Sequence, residues 1–129
     1  MKKVSEIMNT RVEKIHASES VCAGIEKLID KRIRSLLVLY DGRDYGVVTI
    51  RDIMFKVLAK KEDPLKIKIG EVASKPIVTV SPDTEVEEVF NLMQKHNIAR
   101  VFVEDNEEVV GVVSFFDILS YMLVQLAKK

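Results

Sequence analysis

The chain has 129 residues, 47% of them hydrophobic, with 20 Lys and Arg balanced by 20 Asp and Glu, and one cysteine, Cys22. Such a length buries roughly two-thirds of its unfolded surface, so a core forms without staples. Zero net charge excludes a general basic stripe for nucleic acid, a lone cysteine excludes an internal disulfide, and no apolar run approaches the roughly 20 residues of a membrane helix. Met1-Lys2-Lys3-Val4 leads into charged sequence without an apolar signal core, so the expectation is a soluble protein of the reducing cytoplasm.

The first expected element is a short extended stretch, Arg11 to Ile15. Ser18-Glu19-Ser20 then precedes Val21, Ile25, Leu28 and Ile29, a helical spacing with hydroxyls placed to cap it. Gly24 weakens that helix by about 1 kcal/mol relative to Ala and marks close packing. Ser35 to Tyr40 is a strand buried on both faces, Asp41-Gly42-Arg43-Asp44 a hairpin turn, and Tyr45 to Ile50 the returning strand. Asp52 opens a second helix with Ile53, Met54, Val57 and Leu58 at helical spacing, and Lys60-Lys61-Glu62-Asp63-Pro64 ends it.

The same order then recurs. Pro76 to Val80 is extended, and Ser81-Pro82-Asp83-Thr84-Glu85 reads as a helix start with a cap, an early proline and acids. Val86, Val89, Phe90 and Met93 form the inner stripe, Val101-Phe102-Val103 a strand, Asp105-Asn106-Glu107-Glu108 a turn, and Val109 to Ser114 the return. The last helix, beginning near Asp117, is apolar almost all round: Ile118, Leu119, Tyr121, Met122, Leu123, Val124, Leu126 and Ala127. A helix of that kind packs on more than one side, which a thick core or a second subunit satisfies.

The recurrence is a repeat. A displacement of 65 positions lays Gly46-Val47-Val48-Thr49-Ile50-Arg51-Asp52-Ile53 on Gly111-Val112-Val113-Ser114-Phe115-Phe116-Asp117-Ile118 without a gap. It also lays Glu6 on Glu71, Val21 on Val86, Ile33 on Ile98 and Val38 on Val103. A fixed internal period sets the architecture. Here it implies a pseudo-twofold pair of β-α-β-β-α units, fold class α+β, with repeats at 7–64 and 72–129 and related clefts at their seam.

Tandem units of this order, each closing its hairpin with Gly-x-x-Ser/Thr-x-x-Asp, resemble the cystathionine-β-synthase (CBS) domain, two of which make a Bateman module. The resemblance covers nearly the whole chain and concerns a regulatory domain, so it implies no enzyme. It implies binding of an adenosine compound (AMP, ADP, ATP or S-adenosylmethionine) in the clefts as a regulatory ligand, with no cofactor required. It also implies a homodimer through the helices following Asp52 and Asp117.

The residues support chemistry of that kind. Thr49-Ile50-Arg51-Asp52 sits where a strand ends and a helix begins, where free backbone N–H groups suit phosphate, although an acid there is equally an ordinary cap. Asp52 is placed to accept from both ribose hydroxyls, and Arg51 to form a bidentate pair with phosphate. Ser114 and Asp117 repeat the pair, but Phe115 and Phe116 replace the Ile–Arg dipeptide, which makes the second site the poorer one. By resemblance, Arg34 and Arg100, just before the second strand of each repeat and with Arg34 one place earlier in register, become phosphate candidates. Ile77, Val78, Ile98 and Ala99 would wall the base slot of the Thr49/Asp52 site, and Val12, Ile33 and Arg34 that of the Ser114/Asp117 site. All but Arg34 equally suit plain core.

His16 and His96 stand apart from any Cys or acid at metal spacing and read as surface residues, and Cys22 reads as a small buried side chain. No metal site, Walker loop or dinucleotide fingerprint appears. The expectation is a stand-alone, non-enzymatic nucleotide sensor whose ligand bridges both repeats and shifts the angle between them. The alternative is a ligand-independent module whose apolar helices dock on an enzyme or transporter. Specific nucleic-acid or membrane binding is not expected.

Overall fold

Apolar periodicity becomes secondary structure in the expected order in both copies. The computed structural model describes residues 2–42 and 44–128, so Arg43 of the expected first turn lies outside the described residues. The elements are β1 (Lys14–His16), α1 (Val21–Lys31), β2 (Ser35–Leu39), β3 (Tyr45–Thr49), α2 (Ile50–Ile53), β4 (Thr79–Val80), α3 (Val86–His96), β5 (Arg100–Asp105), β6 (Glu108–Ser114) and α4 (Phe115–Ala127). Three-residue 3-10 turns, Val4–Glu6 and Ile69–Glu71, precede each set. One sheet has the order β1-β2-β3 and the other β4-β5-β6, each with a parallel first pair and an antiparallel hairpin.

The chain divides into two compact units, which are not consecutive halves. One joins the chain up to Val12 with the chain from Val78 onward; the other is Glu13–Ile77. Each unit thus takes its leading segment from the other sequence repeat. Asn9 and Val112 exchange backbone hydrogen bonds of 2.9 Å each way, and Val47 and Ser74 do the same at 3.0 and 2.8 Å. These pairs are images of one another under the repeat displacement. The same holds for the bridges Lys3↔Glu85 and Ser20↔Lys68. Each leader also buries one apolar residue completely: Val4 beside Val86, Val89, Met93, Val101 and Val113, and Ile69 beside Val21, Leu28, Leu36 and Val48.

Local chemistry sets the helix ends. The Ser20 hydroxyl accepts from the Ala23 amide at 3.0 Å, as its position implies. Both α1 and α3 end on a left-handed residue, Arg32 (φ 54°) and Asn97 (φ 52°), and the next amide, Ile33 or Ile98, returns to Leu28 or Met93. This is the Schellman closure, in which the following apolar residue packs back on the core. In the second hairpin, Asn106 and Glu107 both have positive φ, the geometry that matches strand twist.

Three expectations change. Helix α3 starts at Val86, later than the Ser81–Glu85 signal: Thr84 N–H donates to Ser81 O, so Pro82 lies in a turn, and Lys2 O takes the Val86 amide. Phe90 is half exposed and leaves the inner stripe to Val86, Val89 and Met93. After Ile53 the helix widens into one π turn, Met54–Leu58, in which the Ala59 amide reaches Met54 O at 2.8 Å. The wider turn keeps Ile53 and Val57 buried and turns Met54 and Leu58 outward.

Glycine is required where leader and sheet meet. Gly24 abuts the Ile69 side chain, which accounts for its place in a helix. At Gly46 a β-carbon would lie 3.0 Å from the Ser74 carbonyl oxygen and 3.2 Å from the Tyr40 ring. At the equivalent Gly111 it would meet only the flexible Met8 side chain. Gly46→Ala is therefore expected to cost about 1–3 kcal/mol and Gly111→Ala less than about 1 kcal/mol. Urea denaturation of the two variants checks this, and equal losses would contradict it.

Candidate functional site

A hydroxyl–acid pair stands where the last strand of each repeat turns into its last helix. Thr49 is the N-cap of α2, with extended backbone, and its hydroxyl accepts from the Asp52 amide at 3.1 Å. Asp52 Oδ2 in turn accepts from the Thr49 amide (2.9 Å) and the Thr49 hydroxyl (3.1 Å). Ser114 and Asp117 repeat this box, with Asp117 Oδ2 taking the Ser114 amide at 2.8 Å and the Ser114 hydroxyl at 3.1 Å. Helices α2 and α4 thus begin at Ile50 and Phe115, with the acids one turn in rather than at the opening.

The amides expected to be free for phosphate are mostly occupied. At the first joint the Thr49 and Asp52 amides are held within the box, and the Ile50 amide donates to Arg34 O at 3.2 Å. At the second joint Phe115 N–H donates to Ala99 O at 3.0 Å. What remains is carboxylate. Asp52 is nearly enclosed, with its side chain 15% exposed, and its Oδ1 pairs with Lys56 Nζ at 3.1 Å. A carboxylate has about four acceptor directions. The box and Lys56 use three on Asp52, leaving one, whereas the expected grip on both ribose hydroxyls needs two. Asp117 keeps both directions on Oδ1, because among the described residues no donor reaches that atom. On this count the second acid is the more available of the two.

The cations are unequally placed. Arg34 is exposed, and its carbonyl ties it to the first joint beside Thr49. Arg51 is exposed and lies over the Phe55 ring, 4.9 Å from its centroid. Arg100 opens β5 directly opposite Ser114 in the β5–β6 register and is half-buried. Lys56 escaped notice in the sequence, although its i,i+4 spacing from Asp52 is the visible signal.

The expected apolar walls divide between the units. Ile77 shares the unit of Thr49 and Asp52, while Val78, Ile98 and Ala99 belong to the other; Val12 shares the unit of Ser114 and Asp117, while Ile33 and Arg34 do not. Within their own units Ile33, Val78 and Ile98 pack against the core. His16 is exposed, with Nδ1 accepting from the Ser18 amide and Nε2 3.5 Å from Asp41, and His96 ends α3, also exposed. Cys22 is partly buried, 3.9 Å from Glu26. Among the described residues no three His, Cys, Asp or Glu group together to hold a metal, and no helix is long and apolar enough to cross a membrane.

Titration is perturbed elsewhere. Burial pushes the Tyr40 phenol up, and the Asp44 hydrogen bond raises the Lys75 ammonium. Lys75 lies 4.1 Å from the Tyr40 ring centroid, and the Tyr40 hydroxyl donates to Gly70 O at 2.7 Å, so this group anchors a leader rather than a ligand.

The model of the CBS domain matches twice, over residues 4–59 and 69–124. The chain belongs to the CBS-domain family. Hypoxic response protein 1 of Mycobacterium tuberculosis is 31% identical over 128 residues, covering 95% of this chain and 90% of that protein. Among solved structures, the hexameric CBS-CP12 protein from bloom-forming cyanobacteria is 33% identical with a TM-score of 0.85, covering 92% of this chain and 70% of that one. Hypoxic Response Protein I with two coordinated zinc ions is 28% identical with a TM-score of 0.80, covering 93% and 98%.

The boxes have a stability consequence. Asp117→Ala is expected to cost about 1 kcal/mol through loss of the cap. Asp52→Ala should cost about 0.5 kcal/mol more, because it also frees the partly exposed Lys56. Urea midpoints of the two variants measure the difference, and a larger loss at Asp117 would refute the pairing.

Proposed function

We propose that this CBS pair is a regulatory module that senses an adenine nucleotide (AMP, ADP, ATP or S-adenosylmethionine), not an enzyme. The observation that supports this reading is the make-up of the first joint. The Arg34 carbonyl takes the Ile50 amide, so the backbone of one exposed arginine is tied to the Thr49–Asp52 box of a CBS repeat, and a second exposed arginine, Arg51, lies within that box's sequence. Guanidinium forks suit phosphate, and the remaining acceptor direction of Asp52 suits one ribose hydroxyl. Arg100, opposite Ser114 in the strand register, and the Ser114–Asp117 pair are the corresponding groups of the second repeat. A nucleotide acts as a signal only through different affinity for two states of the module.

A thermal-shift series with the four compounds tests this. A ligand at 100 times its dissociation constant adds about 2.7 kcal/mol. Because the aspartates also cap helices, the informative variants are Arg34→Ala and Arg51→Ala, which leave the caps intact and should each weaken binding about tenfold or more. Absence of any shift at millimolar nucleotide, or full affinity in both variants, would exclude the reading.

The module is further proposed to work as a homodimer through α4 and the helix after Asp52. In α4 only Ile118 is buried, while Phe115, Phe116, Leu119, Leu123 and Leu126 are each more than half exposed. Ile50, Met54, Phe55 and Leu58 give the other unit an apolar face of its own. Contiguous apolar faces of this extent mark interaction surfaces. Sedimentation should find dimers or larger assemblies, and Leu123→Glu should yield monomers that still bind nucleotide. A wild-type monomer at micromolar concentration would instead favour the second reading, a face that docks on an enzyme or transporter.

A further inference from the structure

Asp52 and Asp117 are equivalent under the repeat, yet among the described residues only Asp52 has a cationic partner. Lys56 bridges two acceptors: its Nζ lies 3.1 Å from Asp52 Oδ1 and donates to the Val72 carbonyl at 3.0 Å. Val72 closes the 3-10 turn of one leader, and Ile7 is its counterpart, closing the turn of the other. The counterpart of Lys56 is Tyr121, which carries no ammonium and packs against the core. Beside it a crevice of about 250 Å³ opens within one unit, lined by Lys2, Ile7, Asp117, Ser120, Tyr121, Val124 and Gln125. Among the described residues no donor reaches Asp117 Oδ1 or the Ile7 carbonyl.

We propose that this crevice binds a small molecule through a primary ammonium group, held between Asp117 Oδ1 and the Ile7 carbonyl as Lys56 is held in the other unit. The protein itself supplies the precedent for the chemistry: Asp52 and the Val72 carbonyl hold an ammonium in one unit, and their counterparts Asp117 and Ile7 line the crevice in the other. Ile7 and Val124 give the ligand's stem an apolar wall, so the ligand is an alkylammonium rather than a bare ion. Lys2 also lines the crevice, and its own ammonium is paired with Glu6 at 3.8 Å. The proposal needs no nucleotide: Asp117 is shared with the nucleotide reading, but Ile7, Ser120, Tyr121 and Gln125 are not, and that reading is tested at Arg34 and Arg51.

The test is an NMR titration of the full-length protein, without nucleotide, using n-butylammonium chloride, with tetramethylammonium chloride at equal ionic strength as the control. Saturable shifts of the Ile7, Ser120 and Gln125 amides are expected with n-butylammonium alone, since tetramethylammonium has charge but no N–H to donate. Asp117→Asn should weaken binding about ten- to a hundredfold. Because Asp117 also caps α4, Tyr121→Lys gives an independent check: it places an ammonium in the crevice and should abolish the response while leaving the cap in place. In the other unit, Lys56→Ala should create a new response at Val72. Equal shifts with tetramethylammonium, or an unchanged response in Tyr121→Lys, would overturn the proposal.

Discussion

Each unit depends on a leader segment bonded to the sheet edge of the other sequence repeat. The paired hydrogen bonds between Asn9 and Val112, and between Val47 and Ser74, satisfy backbone groups that a sheet edge otherwise exposes. The same leaders plug the cores with Val4 and Ile69, bring the Val72 carbonyl to the ammonium that pairs with Asp52, and place Ile7 in the crevice that Asp117 also lines. Remove a leader and its unit loses a buried side chain, an edge contact and one wall of its polar site at once. This explains why glycines recur at 46 and 111, beside the incoming backbone or side chain.

On this shared frame the two copies have diverged around identical boxes. The first keeps Arg51, Lys56 and a π turn; the second has Phe116, Tyr121 and a regular helix. A π turn inserts one residue into the helical register and re-aims the side chains that follow. The chemistry follows the substitutions. The first joint is rich in cations, with its acid nearly saturated; the second is apolar outside, with an acid that retains an open oxygen. A duplicated unit under no such divergence would present two equal sites.

The boxes also limit how much any ligand can gain. A carboxylate already accepting an amide and a hydroxyl is pre-oriented, so little entropy is lost when another donor arrives. It is also partly neutralised, which weakens each added bond. Stability and the proposed binding therefore draw on the same atoms at Asp52 and Asp117, whereas the exposed arginines carry no helix cap.

The repeat, the strand and helix order, the α+β class and the hydroxyl–acid pairs were legible in the residues, because period and capping are local properties. Ser20, the turn at Asn106 and the apolar character of α4 belong to the same local code. Other features depended on contacts remote in sequence. The start of α3 shifts to Val86 because Lys2 supplies its acceptor, and Phe90 lies outside the core because Val86, Val89 and Met93 already fill it. The state of the two acids is tertiary as well. Lys56 lies one turn from Asp52, a spacing any reader of the chain can see, but only folding brings the Val72 carbonyl to the same ammonium. Sequence alone determined which groups recur; the exchange of leaders decided which of them are satisfied, because hydrogen-bond partners distant in the chain are chosen by packing and not by period.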